Sequence, residues 1–475
     1  MNTRFIKQAL PAAITLAVAA CGGGGVAPVI TGIGGSGFIA TGTVTGFGSV
    51  FVNGVEFETS GSVFDIDGSS GTQSDLAVGM VVQVSGSVNN DGVTGTATEI
   101  RFDDQLQGPV SNLVRNADGE NLSFEVLGIT VRVNSVDTVF DNSATYGFDD
   151  IINGNNIEIS GFFNTTGELV ATRVALKNVS FDATSIIELK DTISNLANTT
   201  FNLGNIIVDA SAAAIDNLPN GLADGALVEV KGTYNSGSST VTATRVEGRS
   251  SGVDDTIDKI SIEGIVTDYV DDSNFMLNGV NIDASSATLS PTTLVIRDGA
   301  RIEAEGPVSG GVLQALTVEL RGGDARVYAT VSSVDPSGDF VVSPVFASTI
   351  AVNVTAMTEQ EDPVAVGNFV RVRGFEDDSG GITATRVEVR SSADDVIVRG
   401  TIESGATTGS VRLIGVEFMI DGGTEFKNEF DQPINSSTFF GNVKLDSSLI
   451  KVKDKKGSSN TPPNGIADEI EIETP

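Results

Sequence analysis

Histidine and tryptophan are absent from this 475-residue chain, and cysteine occurs once. Without histidine there is no Ser-His-Asp or Cys-His machinery, no histidine-ligated zinc and no use of the commonest general base. Without tryptophan the usual stacking platform for sugar rings is missing. A single cysteine, Cys21, excludes any internal disulfide. Positive charge is scarce too: 28 lysines and arginines stand against 62 acids, for a net charge of −34. A chain this acidic repels phosphate backbones and anionic lipid, which argues against nucleic acid as a partner. Disorder is the usual alternative for acidic chains, but 40% apolar residues in regular alternation require packed cores. A carboxylate pair remains as the one enzymatic route, and no Asp or Glu is set apart by an aromatic-lined context. The chain reads as a non-enzyme.

What the sequence does have is a repeated phrase. A glycine, six residues in apolar alternation and a second glycine recur about every 70 residues: Gly79 to Gly86, Gly154 to Gly161, Gly225 to Gly232, Gly299 to Gly306, Gly367 to Gly374. A strand-like run follows each, such as Ala243-Thr244-Arg245-Val246-Glu247 or Ala384-Thr385-Arg386-Val387-Glu388. Ahead of each lies a hairpin signal, first Val50-Phe51-Val52 and Val55-Glu56-Phe57 around Asn53-Gly54. Later copies turn at Gly128, Gly204, Gly279 and Gly415, while the fifth has Ser343-Pro344 there and must turn differently. Each unit holds about five short strands, which need closure to protect their edges. Only Thr192 to Ala197 and Ala210 to Asn217 suggest a turn or two of helix. The predicted fold is all-β, a tandem array of about six small barrels at 39–104, 105–179, 186–250, 258–323, 326–392 and 396–475. The sixth lacks the paired glycines, as expected of a terminal repeat with one uncovered face.

At the N-terminus, Arg4 and Lys7 precede an apolar stretch from Ala9 to Ala20, too short to span a bilayer as a mature helix. Val18-Ala19-Ala20-Cys21 resembles the lipobox of bacterial lipoproteins. The resemblance implies a signal peptide over 1–20, acylation of Cys21 and a Gly-rich tether over 21–38. Gly22 stands where that family places an Asp for inner-membrane retention, so the resemblance favours an outer-membrane anchor in the cell envelope. Removing the signal peptide leaves a net charge near −36. Several acyl chains on one residue would anchor the protein stably.

The order of opening Gly-x-Val, hairpin, Gly-x6-Gly strand and closing Ala-Thr-x-Val looks like OB-type small barrels of the bacterial periplasm. The entry Gly32-Ile33-Gly34-Gly35-Ser36-Gly37-Phe38, with Gly42 to Val50 after it, is similar to an uncharacterised family of repeat lipoproteins known only as a domain of unknown function, family 5666. The resemblance covers nearly all of residues 32 to 392, and it implies five-stranded OB-like barrels without implying any chemistry.

Two charge features are candidate sites. Acidic pairs follow closing strands at Asp103-Asp104, Asp254-Asp255 and Asp394-Asp395, with Asp324 in a comparable spot. Hard cations want several carboxylate and carbonyl oxygens, so these six are calcium candidates at inter-repeat joints; solvated linker is the plainer reading. Asp65-Ile66-Asp67-Gly68 and Asn464 to Asp468 also carry oxygen donors, but neither completes an EF-hand loop. Arg173, Arg245 and Arg386 recur opposite the inward-facing Val174, Val246 and Val387, and should pair with acids on adjacent strands. The glycine-rich stretches lack the Lys-Ser/Thr ending of a P-loop and read as tether. The sequence therefore predicts a lipid-anchored, extended acidic arm that presents barrel faces to an envelope protein or glycan. A calcium-stiffened adhesin or matrix component is the alternative, and a carboxylate hydrolase comes third.

Overall fold

The computed structural model describes residues 37–473, apart from 117–118, 136, 142–145, 183, 250–256, 293, 324, 346–347, 356–357, 361, 378–379, 391–394, 429–431, 446–447 and 456–462. Strands dominate, and among the described residues there is one α-helix, Ser436–Asn442. Alternation along each strand buries one face: Val50, Val52, Val55 and Phe57 are buried while Phe51 and Glu56 are not.

Repeat 1 shows how a unit closes. Its first strand, Phe38–Phe47, pairs antiparallel with the second, Val50–Val52, which pairs with the third, Val55–Glu58. The third runs parallel to the start of the fifth, Thr94–Phe102. The fifth pairs with the fourth, Val81–Val88, and the fourth returns to the first. The ring order 1-2-3-5-4-1 is that of an OB barrel and leaves no open edge. A short strand, Val63–Ile66, runs parallel to the far half of the fifth. Repeats 2, 3 and 5 close in the same order. In repeat 4 the fifth strand is split into Val312–Gln314 and Thr317–Leu320, and the ring still closes through both pieces. The fifth hairpin departs as its Ser-Pro implies, with Phe340–Ser343 and Ile350–Asn353 joined by a longer loop. In repeat 6 the hairpin Ser410–Leu413 and Val416–Met419 forms a separate two-stranded sheet, joined to the rest of the ring by short contacts: the Glu403 N–H donates to the Arg412 carbonyl, and Met419 bridges to Ile466 in parallel.

The repeated phrase has a geometric cause. The first glycine of every pair takes a positive φ, from 84° at Gly225 and Gly299 to 92° at Gly154. A Cβ on the second would lie 2.1 Å from the Thr96 carbonyl oxygen at Gly86, and 2.2 Å from that of Thr242 at Gly232. Opposite this glycine the fifth strand carries one extra residue, the Thr of Ala-Thr, at Thr98, Thr172, Thr244 and Thr385. Such a bulge bends the strand, so its first half serves the barrel and its second half the short parallel strand. Thr98, Thr244 and Thr385 donate their hydroxyls to carbonyls of the fourth strand.

The two helix windows are corrected. Thr192 to Ala197 continues the strand Ile186–Ala197, with Ile193 buried, and Ala210 to Asn217 is a turn leading into the strand Ala214–Asp216. Alternation toward the core outweighs weak helix propensity there. The helix lies instead in repeat 6, where the Asn435 side chain accepts the Thr438 N–H at 2.9 Å and Phe439 is buried against Phe426.

The expected extended arm is corrected as well. The first strands of repeats 1 and 4 form one parallel ladder, Phe38 to Thr41 against Lys259 to Ile262. First strands also pair antiparallel between repeats 2 and 3 and between repeats 5 and 6. The buried side chains of repeats 2 and 3 make one continuous core, and those of 5 and 6 another. Val81, Phe162 and Ile265 meet where repeats 1, 2 and 4 converge. Apolar faces on the barrel exteriors are covered by other barrels, so the array folds back on itself.

Candidate functional site

The joints between repeats collect most of the buried charge. One is a cleft of about 580 Å3 bounded by repeats 2, 4, 5 and 6, lined by six cations and four carboxylates. Repeat 5 contributes Arg326 and Arg373 from neighbouring antiparallel strands, where they are opposite each other in register. Both reach across to repeat 2: Arg326 Nη1 lies 3.0 Å from Glu120 Oε2, and Arg373 Nη1 lies 2.7 Å from Asp137 Oδ1. Asp137 also faces Arg326 at 3.7 Å, so one carboxylate serves two guanidinium groups. Repeat 6 adds Arg399, 3.0 Å from Glu473, and Lys451, 2.8 Å from Glu471 and 2.9 Å from Glu473. Repeat 4 adds Arg301, held 2.6 Å from Glu263. Arg132 is half exposed and pairs with Glu168 at 2.7 Å.

The lining itself holds more cations than carboxylates, but Arg132 is met from just outside it by Glu168, and Arg301 by Glu263 and, at 3.4 Å, by Glu359. Burial, with Arg326, Arg301 and Arg399 nearby, brings the Arg373 guanidinium down to about 10 although Asp137 opposes the shift. For Asp137, burial acts to raise the carboxyl, and the surrounding arginines, Arg373 first, outweigh it and hold it low. A second cleft, of about 700 Å3 between repeats 4, 5 and 6, shares Gly299, Arg301 and Arg373 with the first. Together they form a groove lined by clustered, ion-paired cations, where an anionic group would compete with the resident carboxylates.

The other charged joint brings repeats 1, 2 and 3 together. Asp103 is ion-paired with Arg101 at 2.6 Å and with Arg249 of repeat 3 at 3.1 Å. Asp104 is fully buried, and neither of its carboxylate oxygens has a hydrogen-bond partner. Burial, then Glu158 and Asp67, pushes its carboxyl well above the usual range. Oxygens of Asp67, Asp104 and Glu158 lie within 4.8 Å of one another. Lys177 Nζ is 2.5 Å from Glu158, and Lys231 Nζ is 2.9 Å from Glu188 and 3.7 Å from Asp67. Lys190 pairs with Glu229 at 3.3 Å and donates to the Asp104 carbonyl. Solvated linker is therefore the wrong description of Asp103-Asp104, because repeat packing closes over both.

The remaining sequence candidates are scattered. Asp395 lies 3.7 Å from Lys453. Cys21, Asp254, Asp255, Asp324 and Asp394 lie outside the described residues. Arg173 pairs with Asp141 at 2.7 Å, and Arg245 with Asp216 at 2.9 Å, as expected of adjacent strands. Arg173 is also buried, donating to the Val78 carbonyl of repeat 1 at 3.2 Å. Arg386 stands beside Glu359 in the parallel ladder. In the Asn464 to Asp468 loop, the N–H groups of Asn464 and Gly465 go to Asp454.

Sequence reasoning missed Glu158, Glu188, Glu229 and the cleft arginines. Alternation places them on the outer faces of their strands, which a lone barrel would expose. The available signal was the recurrence of charge at outward positions of first and fourth strands, including Glu188, Lys190, Glu263, Glu303, Arg326 and Arg399.

Residues 36–101, 107–175, 192–247, 263–319 and 328–388 each match the model of a family described as Domain of unknown function (DUF5666). No curated protein matches the chain.

Proposed function

The chain belongs to the DUF5666 family through five repeats that cover more than half its length, and from that premise we propose that it is a lipid-anchored structural and binding array of the cell envelope. In this reading Cys21 carries the acyl anchor, outer membrane favoured, and the folded barrels hold a protein or glycan partner without catalysis. The supporting observation is the cleft, where six cations, each ion-paired, gather in a chain with a net charge of −34. An anionic segment of an envelope glycan or protein fits that charge, and it relieves the crowding of Arg373 by Arg326, Arg301 and Arg399. Nucleic acid is disfavoured because duplex DNA carries a negative charge about every 1.7 Å, so the whole-molecule field repels it more strongly than a sparser polyanion.

The test is calorimetric titration of the full chain with polygalacturonate as an acidic glycan probe and polyglutamate as an acidic protein probe. One of them is expected to bind, more weakly as salt rises, and at least tenfold more weakly to a variant combining Arg132→Gln with Arg373→Gln. Failure of both probes at low salt, or binding that the double variant retains, contradicts the reading. A second reading, an array stiffened by calcium at its joints, is favoured by one observation: the buried, unpartnered carboxylate of Asp104.

A further inference from the structure

We propose that the junction of repeats 1, 2 and 3 is a calcium site with Asp67, Asp104 and Glu158 as its carboxylate ligands. The proposal deepens the calcium-stiffened reading and is independent of the arginine cleft.

The three ligands come from separate segments that only the packed repeats bring together. Asp67 lies in a tight turn of repeat 1, Asp104 in the link to repeat 2, and Glu158 in the fourth strand of repeat 2. Their oxygens fall within 4.8 Å of one another, a spacing that one ion can span. Asp104 is held on both sides: its N–H donates to Asp67 Oδ1 at 3.2 Å, and its carbonyl accepts from Lys190. Its side chain is fully buried with both oxygens unpartnered. A buried carboxylate in that state is costly unless a cation meets it.

The cations already present leave this position open. Lys190 is engaged with Glu229, and Lys231 is closer to Glu188 than to Asp67. Lys231 reaches the edge of the cluster, donating to the Asp67 carbonyl at 3.2 Å, whereas Lys177 pairs with Glu158 and its side chain is 41% exposed. Lys177 can swing to solvent when a divalent ion takes over Glu158. Carboxylate oxygens without nitrogen or sulfur select hard cations. Ligands gathered from a turn, a link and a strand suit the adaptable, higher coordination of calcium better than the strict octahedron of magnesium. Bound there, the ion ties repeats 1 and 2 together beneath repeat 3.

The experiment follows the full chain, stripped with chelator, by calorimetric titration with calcium chloride and by thermal unfolding. One calcium per chain at this site and a midpoint raised by several degrees are expected, since the ion binds the folded state preferentially. Asp104→Asn should abolish both effects, and Asp149→Asn, at an exposed acid elsewhere, should leave them intact. Magnesium at equal concentration should raise the midpoint less. An unmoved midpoint, a calcium response that survives Asp104→Asn, or a larger response to magnesium overturns the assignment. Should Asp104→Asn fail to fold, Lys177→Met decides instead: removing the competing ammonium should tighten calcium binding about tenfold, and unchanged affinity overturns it.

Discussion

Single residues decide whether a repeat can form at all. Gly232 faces the Thr242 carbonyl at a bulge, and an added Cβ would lie 2.2 Å from that oxygen. Gly232→Ala is therefore expected to destabilise the protein by about 1–3 kcal/mol through forced displacement of the bulge. Denaturant titration checks it. Gly225→Ala, at a φ of 84° with open space around it, should cost about 1–2 kcal/mol for the left-handed backbone alone. This level was legible in the sequence because turns and bulges need specific residue types wherever they occur. Asn53-Gly54, at φ of 50° and 78°, is a hairpin turn on its residues alone. Asp104 was legible only as an acid after a strand. Its burial depends on Glu158 and Asp67 arriving from other segments, which no local pattern records.

At the level of elements, the first strand of each repeat does two jobs, closing its own barrel and joining another. The seam between repeats 1 and 4 shows how side chains secure that join. Where the parallel ladder ends, buried Glu263 accepts the Thr43 N–H at 2.8 Å, and Arg301 donates to the Thr43 hydroxyl at 2.9 Å. Nearby, Asn53 donates to Ser261 at 2.6 Å, and Ser261 donates to buried Glu303 at 2.7 Å. The two glutamates titrate in opposite directions. For Glu263, burial acts upward, but Arg301 and Arg321 outweigh it and hold the carboxyl down to about 2. Its contribution is present above the unfolded value of 4.5 and is lost as pH falls from there toward 2. Burial pushes Glu303 up to about 8. Between 4.5 and 8 the unfolded chain gives up that proton while the folded chain keeps it, so this group lowers stability as pH rises. Unfolding midpoints across pH 3 to 9 should show Glu303→Gln removing a loss of stability between pH 5 and 8. Glu263→Gln should cost about 3–5 kcal/mol at neutral pH, because it removes the buried carboxylate that Arg301 meets at 2.6 Å and Arg321 at 3.6 Å. A flat difference between Glu303→Gln and parent across pH 5 to 8 would contradict the Glu303 account. The strands themselves were legible from alternation. Their choice of partner was not, because Phe38–Phe47 and Lys259–Asp271 have the same inward pattern as the first strands that pair elsewhere.

For the whole molecule, both candidate sites exist only where barrels meet. The arginine cleft needs repeats 2, 4, 5 and 6 together, and the acidic cluster needs repeats 1 and 2 beneath repeat 3. Fold class and the count of repeats could be read from the periodic glycines, but the arrangement could not, since it rests on contacts such as Thr43 with Glu263, 220 residues apart. The six repeats form one folded-back body rather than a file of beads. Small-angle X-ray scattering of the full chain in solution tests this most directly. A single compact body of this size predicts a radius of gyration of about 22–25 Å, whereas six barrels in a row would give about 45 Å. A value in the first range supports the joints and the sites built at them; a value near the second would contradict both.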